Sequence, residues 1–79
     1  MGVEVADRRT VEQSLAARLV AAGKLDEAID CYDRAIALDN SMTMAYLSKG
    51  GVFNRLERYS EALQCYEQAL RAQQKPSVA

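Results

Sequence analysis

The fold of this chain follows from a short stretch of sequence that occurs twice. Positions 27–35 read EAIDCYDRA, and 34 residues later positions 61–69 read EALQCYEQA. Five of the nine paired positions are identical, and two others exchange isoleucine for leucine and aspartate for glutamate. Self-similarity at a fixed period of this length is typical of repeat proteins, in which each repeat is one supersecondary unit. The chain is therefore predicted to contain two copies of one structural unit.

Each copy is predicted to consist of two α-helices. Apolar residues recur every three or four positions, which is the spacing of one face of an α-helix. The few glycine and proline residues do not support a series of β-hairpins. The helices are expected at about 9–22, 25–38, 41–55 and 59–73. The predicted fold class is all-α, with two antiparallel helix-turn-helix hairpins stacked side by side.

The same pattern sets the expected boundaries. A two-repeat domain is expected at 9–74, with the first repeat at about 9–42 and the second at about 43–74. The ends, 1–8 and 75–79, carry no apolar pattern and are expected to be flexible.

The breaks between helices involve residues with known turn preferences. Gly23 and Lys24 separate the first two helices. Asn40 is expected to adopt a left-handed conformation at the end of the first hairpin, because asparagine tolerates it. Ser41 is expected to begin the third helix, because serine is a favourable N-cap.

Composition argues against several classes of function. The formal net charge of −1 leaves no basic excess for a nucleic-acid backbone. Histidine is absent, and two cysteines, Cys31 and Cys65, are too few for a zinc site. No apolar run approaches the length of a membrane-spanning helix. We expect a non-catalytic protein with no metal or cofactor, in the cytoplasm, where both thiols would remain reduced and pack as small apolar residues.

The repeated unit resembles the tetratricopeptide repeat over about 9–74. The residues that carry this likeness are GKLDEA at 23–28 with Tyr32, Ala35, Ile36, Leu38 and Asp39, and then Tyr46, Gly50, Phe53, Tyr59, EAL at 61–63, Tyr66, Ala69 and Leu70. The resemblance implies a scaffold that binds a peptide or another protein and performs no chemistry. It also implies that the first helix of each hairpin lines a concave groove.

The resemblance assigns residues to this groove. They are Gln13, Ser14, Ala17, Val20 and Ala21 in the first repeat, and Met44, Leu47, Ser48, Gly51, Asn54 and Arg55 in the second. Ala17 and Gly51 would form a small floor. Val20 and Leu47 would form apolar walls, and Arg55 would provide a cationic end. Such a groove suits an extended or helical peptide with apolar side chains and an acidic end.

One subset of the family grips the C-terminal carboxylate of a chaperone with basic and asparagine side chains. Gln13 and Ala17 stand where that clamp requires Lys and Asn, and Ser48 stands where it requires Asn. A chaperone-tail clamp is therefore not expected.

Two alternative functions remain open. The chain is also similar to the three-helix microtubule-interacting-and-transport domain, which binds short helical motifs, so the number of helices distinguishes the two. Alternatively, the chain is a self-assembly unit of a larger complex. Repeat arrays usually need about three units, so we expect an exposed flank at Leu63 and Leu70. This flank should lead either to self-association through the uncapped repeat ends or to binding of a stabilising partner.

Several residues are assigned to packing. Gly50 is expected to allow a close approach between helices. Lys49 stands where the family buries an aliphatic residue and is expected to bury its aliphatic stem. The aromatic residues are all assigned to the core; they are Tyr32, Tyr46, Phe53, Tyr59 and Tyr66.

Overall fold

The computed structural model describes residues 8–73, with the backbone alone at residue 9. These residues form four α-helices and no β-strand. The helices are α1 (Arg8–Ala21), α2 (Leu25–Leu38), α3 (Thr43–Arg55) and α4 (Tyr59–Gln73). α1 pairs with α2 and α3 pairs with α4, and α2 packs against α3. The predicted all-α fold of two stacked hairpins is confirmed.

The observed helix bounds lie within two residues of the predicted ones. α1 begins and ends one residue earlier, and α3 begins at Thr43 rather than at Ser41. Four helices in the described part of the chain exclude the three-helix, microtubule-interacting-and-transport-like alternative. The ends predicted to be flexible lie outside the described residues, apart from Arg8, which is the first residue of α1.

Small residues are buried at equivalent positions between the packed helices. Ala28 of α2 and Ala62 of α4 occupy equivalent positions, and both are buried. Gly50 of α3 is also buried, and a Cβ atom there would lie 2.5 Å from Cε1 of Tyr66. No real Cβ contact is that short, so the aromatic ring occupies the space that a larger residue at position 50 would need. The predicted packing role of Gly50 is confirmed.

The turn within each hairpin has the same hydrogen bonding. The Lys24 N–H donates to the Leu19 carbonyl at 2.8 Å, and the Gly23 N–H donates to the Val20 carbonyl at 3.0 Å. This motif ends a helix with one residue in the left-handed conformation, and Gly23 has φ 82°. The second hairpin repeats both bonds, and Glu57, with φ 62°, is its left-handed residue.

The connection between the hairpins differs from the prediction. Asn40 does not have a positive φ, and Met42, rather than Ser41, immediately precedes α3. Instead, the backbone N–H and the hydroxyl of Ser41 donate to Oδ1 of Asp39 at 3.0 and 2.6 Å. The Ser41 hydroxyl is therefore used within an Asp39 turn, which competes with its use as a helix cap.

The core is formed by the facing sides of the four helices. Most of its buried members form one cluster of Ala16, Ala28, Ile29, Cys31, Tyr32, Ala45, Val52, Phe53, Ala62 and Cys65, and Ala35, Tyr46 and Ala69 are buried as well. Four of the five aromatic assignments are supported, since Tyr32, Tyr46 and Phe53 are buried and Tyr66 packs against the core. The assignment of Tyr59 is wrong, because this side chain is exposed. Its equivalent, Leu25, packs against the core that α2 and α3 share, whereas no described helix covers the outer side of α4.

Lys49 joins the two hairpins. Its ammonium group forms an ion pair with Asp33 of α2 and lies 5.9 Å from the centroid of the Phe53 ring. The Lys49 side chain is 19% exposed, so the aliphatic stem is covered while the charged end meets a carboxylate. The predicted burial of the stem is confirmed.

Candidate functional site

A shallow pocket opens where the two hairpins meet. It has a volume of about 290 Å³ and is lined by residues from three helices. These residues are Val20 of α1, Tyr32 of α2, and Ser48, Gly51, Val52 and Arg55 of α3. The pocket thus brings together four of the residues assigned to the groove from the sequence. We call it the central pocket.

Gly51 lies at the open floor of the central pocket. A Cβ atom at this position would meet no heavy atom within 4 Å. Gly51 therefore faces free space, whereas the preceding residue, Gly50, faces the ring of Tyr66. The two adjacent glycines have different roles. Gly50 allows the helices to pack, and Gly51 leaves the pocket open because it has no side chain.

Arg55 supplies positive charge at one end of the central pocket. It is the last residue of α3, and its side chain is exposed. No ion pair within residues 8–73 uses its guanidinium group. Because the carbonyl end of a helix carries partial negative charge, a cation is favourable at this position even without a ligand. Arg55 can therefore meet an acidic group without first breaking an ion pair within the described chain.

The neighbouring polar residues are engaged within the protein. The Asn54 side-chain amide donates to the Tyr66 hydroxyl at 2.9 Å, which directs it towards α4 rather than into the central pocket. Arg58 donates two hydrogen bonds to Glu61, at 2.6 and 2.7 Å, and its guanidinium lies 5.0 Å from the Phe53 ring centroid. A ligand would have to compete with these contacts, so Arg55 is the more accessible cation.

The remaining groove assignments do not line the central pocket. Met44 and Leu47 of α3 are exposed along the same helix, and Ala17 and Ala21 of α1 are exposed as well. Gln13 is half-buried. Ser14 lines a different, more apolar pocket on α1 with Val11 and Leu15 among its neighbours. That these residues contact a ligand remains a prediction.

Two residues that line the central pocket are absent from the sequence-based assignment. Tyr32 and Val52 are largely buried, but both also contribute to the pocket wall. The sequence assigns Tyr32 to the wedge between helices, because it recurs at the repeat period. Tyr32 can pack between helices and also line the pocket, and the repeat period alone does not indicate the second role.

The two thiols are buried and free. Burial raises the pKa of Cys31 above its ordinary value, although the Arg34 guanidinium opposes this shift. Arg34 Nη2 donates to Cys31 Sγ at 3.1 Å, so a basic neighbour is present that the sequence analysis did not identify. Burial also raises the pKa of Cys65, and here Lys49 opposes the shift. Both thiols are therefore protonated at neutral pH and poorly suited to nucleophilic chemistry.

Other types of site have no counterpart in the described structure. Within residues 8–73, no group of three or more Cys, Asp or Glu side chains is arranged to hold a metal ion. None of the four helices is long and apolar enough to cross a membrane.

Comparisons with known proteins agree with the fold of helical hairpins. The family model of the tetratricopeptide repeat matches residues 14–78. The chain is also similar to the protein O-mannosyl-transferase Tmtc3 of Drosophila melanogaster, with 39% identity over 59 residues. That alignment covers 72% of this chain but only 6% of the relative's length.

Proposed function

This chain belongs to the tetratricopeptide repeat family, and from that membership we infer that it is a non-catalytic interaction module that binds a peptide or a partner helix between its two hairpins. Members of the family generally mediate protein–protein interaction. The observation that carries the proposal for this chain is the central pocket, where α1, α2 and α3 converge on the open Gly51 position.

The preferred ligand is an extended or helical peptide with apolar side chains and an acidic end. The open floor at Gly51 lets a peptide backbone approach α3 closely. Val20 and Tyr32 offer apolar surface, and covering such surface removes it from water. Arg55 offers a charge-assisted hydrogen bond to a carboxylate. Because Arg55 is exposed, we expect this bond to contribute only about 0.2–1 kcal/mol.

A selection from a displayed library of random peptides, followed by titration of each selected peptide, tests the proposal. Gly51→Leu should abolish binding because its side chain fills the floor of the pocket. Gly51→Ala is the matched control, since one methyl group meets no atom in the free protein and should reduce binding much less. The proposal is wrong if the selected peptides bind the Gly51→Leu variant as tightly as the original chain.

A second pair of variants tests the charge at the end of the pocket. Arg55→Ala should weaken the binding of a peptide with a free carboxylate about 1.4- to five-fold and leave the binding of its amidated version unchanged. Arg71→Ala removes an exposed arginine from the last turn of α4 and should affect neither peptide. An equal loss for both peptides in Arg55→Ala would show that the side chain does not recognise the acidic end.

We further propose that the chain acts in a reducing compartment such as the cytoplasm. This proposal rests on two free thiols that a reducing environment would preserve. Microscopy of a fluorescent fusion tests it, and an oxidising location would contradict it. The transferase activity in the name of the fruit-fly relative belongs to that protein, of which the matched region is a small part.

A further inference from the structure

The outer face of α4 repeats the face that α2 buries against α3. On α2, Ile29 is 8% exposed, and Leu25 and Ile36 pack against the core. The equivalent residues 34 positions later are more than half exposed; they are Tyr59 at 62%, Leu63 at 59% and Leu70 at 57%. The exposed flank predicted at Leu63 and Leu70 is confirmed. We define the α4 outer face as Tyr59, Leu63, Glu67 and Leu70.

The outer face of α1 is equivalent to the face of α3 that packs against α2. Val11 and Leu15 are exposed, and with Arg18 they line an apolar pocket of about 320 Å³. The equivalent residues of α3, which α2 helps to cover, are Ala45, Lys49 and Val52. Ala45 and Val52 are buried, and the Lys49 side chain is largely covered. We define the α1 outer face as Val11, Leu15 and Arg18.

We propose that a second copy of this chain stacks its α1 outer face on the α4 outer face of the first, in the register of the internal contact between α2 and α3. Each exposed face is equivalent to one side of an interface that the chain already forms within itself. A second copy therefore supplies the matching surface, with an apolar pocket beside Leu15 to receive side chains such as Leu63.

Charge supports the same pairing. In the internal contact, Lys49 of α3 forms an ion pair with Asp33 of α2. Glu67 is equivalent to Asp33 and keeps the negative charge on α4. On α1 the position of Lys49 is taken by Leu15, but Arg18 lies one helical turn further along and lines the same pocket. An Arg18 of one copy can thus replace Lys49 as the partner of Glu67 in the other.

This contact joins two different faces, so each copy keeps one face free after it has bound another. Such a heterologous contact extends into an open head-to-tail array unless the rotation between copies closes a ring. Assembly should therefore increase with protein concentration. It would also place the central pockets of successive copies side by side, since each copy repeats the stacking of the hairpins.

Two charge substitutions, one on each face, test the proposal by sedimentation velocity. The original chain should form larger species as its concentration rises. Leu15→Glu blocks the α1 outer face and Leu63→Glu blocks the α4 outer face, so each variant alone should lose association at least about tenfold. Mixed together, they should form a one-to-one dimer and nothing larger, because each retains one intact face.

The controls separate the loss of this contact from unfolding and from a general effect of added charge. Leu15 and Leu63 are exposed, so both variants should retain the circular dichroism of the original chain. Met44→Glu also places a charge at an exposed apolar residue, but outside both outer faces, and should leave association unchanged. Gly51→Leu should likewise associate normally, so a failure of the pocket proposal and a failure of this one are distinguishable.

Three results would overturn the proposal. A monomer at every concentration would show that no second copy covers these faces. That result is expected if the faces bind another protein or another part of a longer chain. Persistent association of Leu15→Glu, with loss only in Leu63→Glu, would indicate a symmetric contact between two α4 helices. Failure of the mixed variants to pair would exclude head-to-tail stacking.

Discussion

At the scale of single residues, Gly50 and Gly51 are adjacent in sequence and opposite in surroundings. Gly50→Ala should lower the free energy of unfolding by about 1–2 kcal/mol, since overpacking against Tyr66 outweighs the gain in helix propensity. Gly51→Ala should raise it by up to about 1 kcal/mol, because alanine favours the helix and its Cβ meets no atom. Urea denaturation of both variants measures the difference.

The same measurement in a Tyr66→Ala background is the control. Removing the ring should remove the cost of Gly50→Ala and leave the benefit of Gly51→Ala in place, since only position 50 faces that ring. Equal effects of the two alanines in the original chain would contradict the assignment of separate roles to the two glycines.

The candidate site shows what sequence can predict about individual residues. Gly51 and Arg55 were assigned to the groove because the resemblance to the tetratricopeptide repeat indicates which side of α3 faces it, and both line the central pocket. The direction of the Asn54 side chain could not be predicted, because it depends on a hydrogen bond to Tyr66 on another helix. The exposure of Tyr59 could not be predicted either, because it depends on whether another helix covers α4. The helical period of a sequence carries no information on that.

At the scale of elements, the turns that end α1 and α3 have the same geometry but different residues in the left-handed position. Glu57→Gly should raise the free energy of unfolding by about 1 kcal/mol, because a left-handed conformation is costly for a residue with a Cβ atom. Gly23→Ala should lower it by a similar amount for the same reason. Thermal and urea denaturation check both changes.

Glu57→Ala is the control for this pair, since it removes the carboxylate and keeps the Cβ atom. If Glu57→Gly is no more stable than Glu57→Ala, the gain does not arise from the backbone conformation, and the account of the turn fails.

The helices themselves were predictable to within two residues, because apolar spacing and the break at Gly23 mark them independently of tertiary structure. The hydrogen bonding of the connection between the hairpins could not be predicted in this way. Serine and asparagine favour caps in general, but here the Asp39 carboxylate accepts both hydrogen bonds from Ser41. A choice between two local hydrogen-bonding patterns of similar strength is not fixed by residue type.

At the scale of the whole molecule, residues 8–73 leave the central pocket and the outer faces of α1 and α4 uncovered by any described helix. The pocket lies between the hairpins. Each outer face is equivalent to one side of the contact between α2 and α3, but it lacks the other side. The geometry of a two-repeat stack therefore supports the proposed interaction with other proteins.

Mapping the amide chemical shifts of the chain during titration with a library-selected peptide tests the central claim most directly. Binding in the central pocket should shift the amides of Val20, Ser48, Gly51 and Arg55, and the Gly51→Leu variant should show no shifts with the same peptide. Shifts confined to exposed residues of α2 and α4 outside the pocket, such as Asp30, Asp33 and Gln64, would contradict the claim that the chain binds its partners between the hairpins.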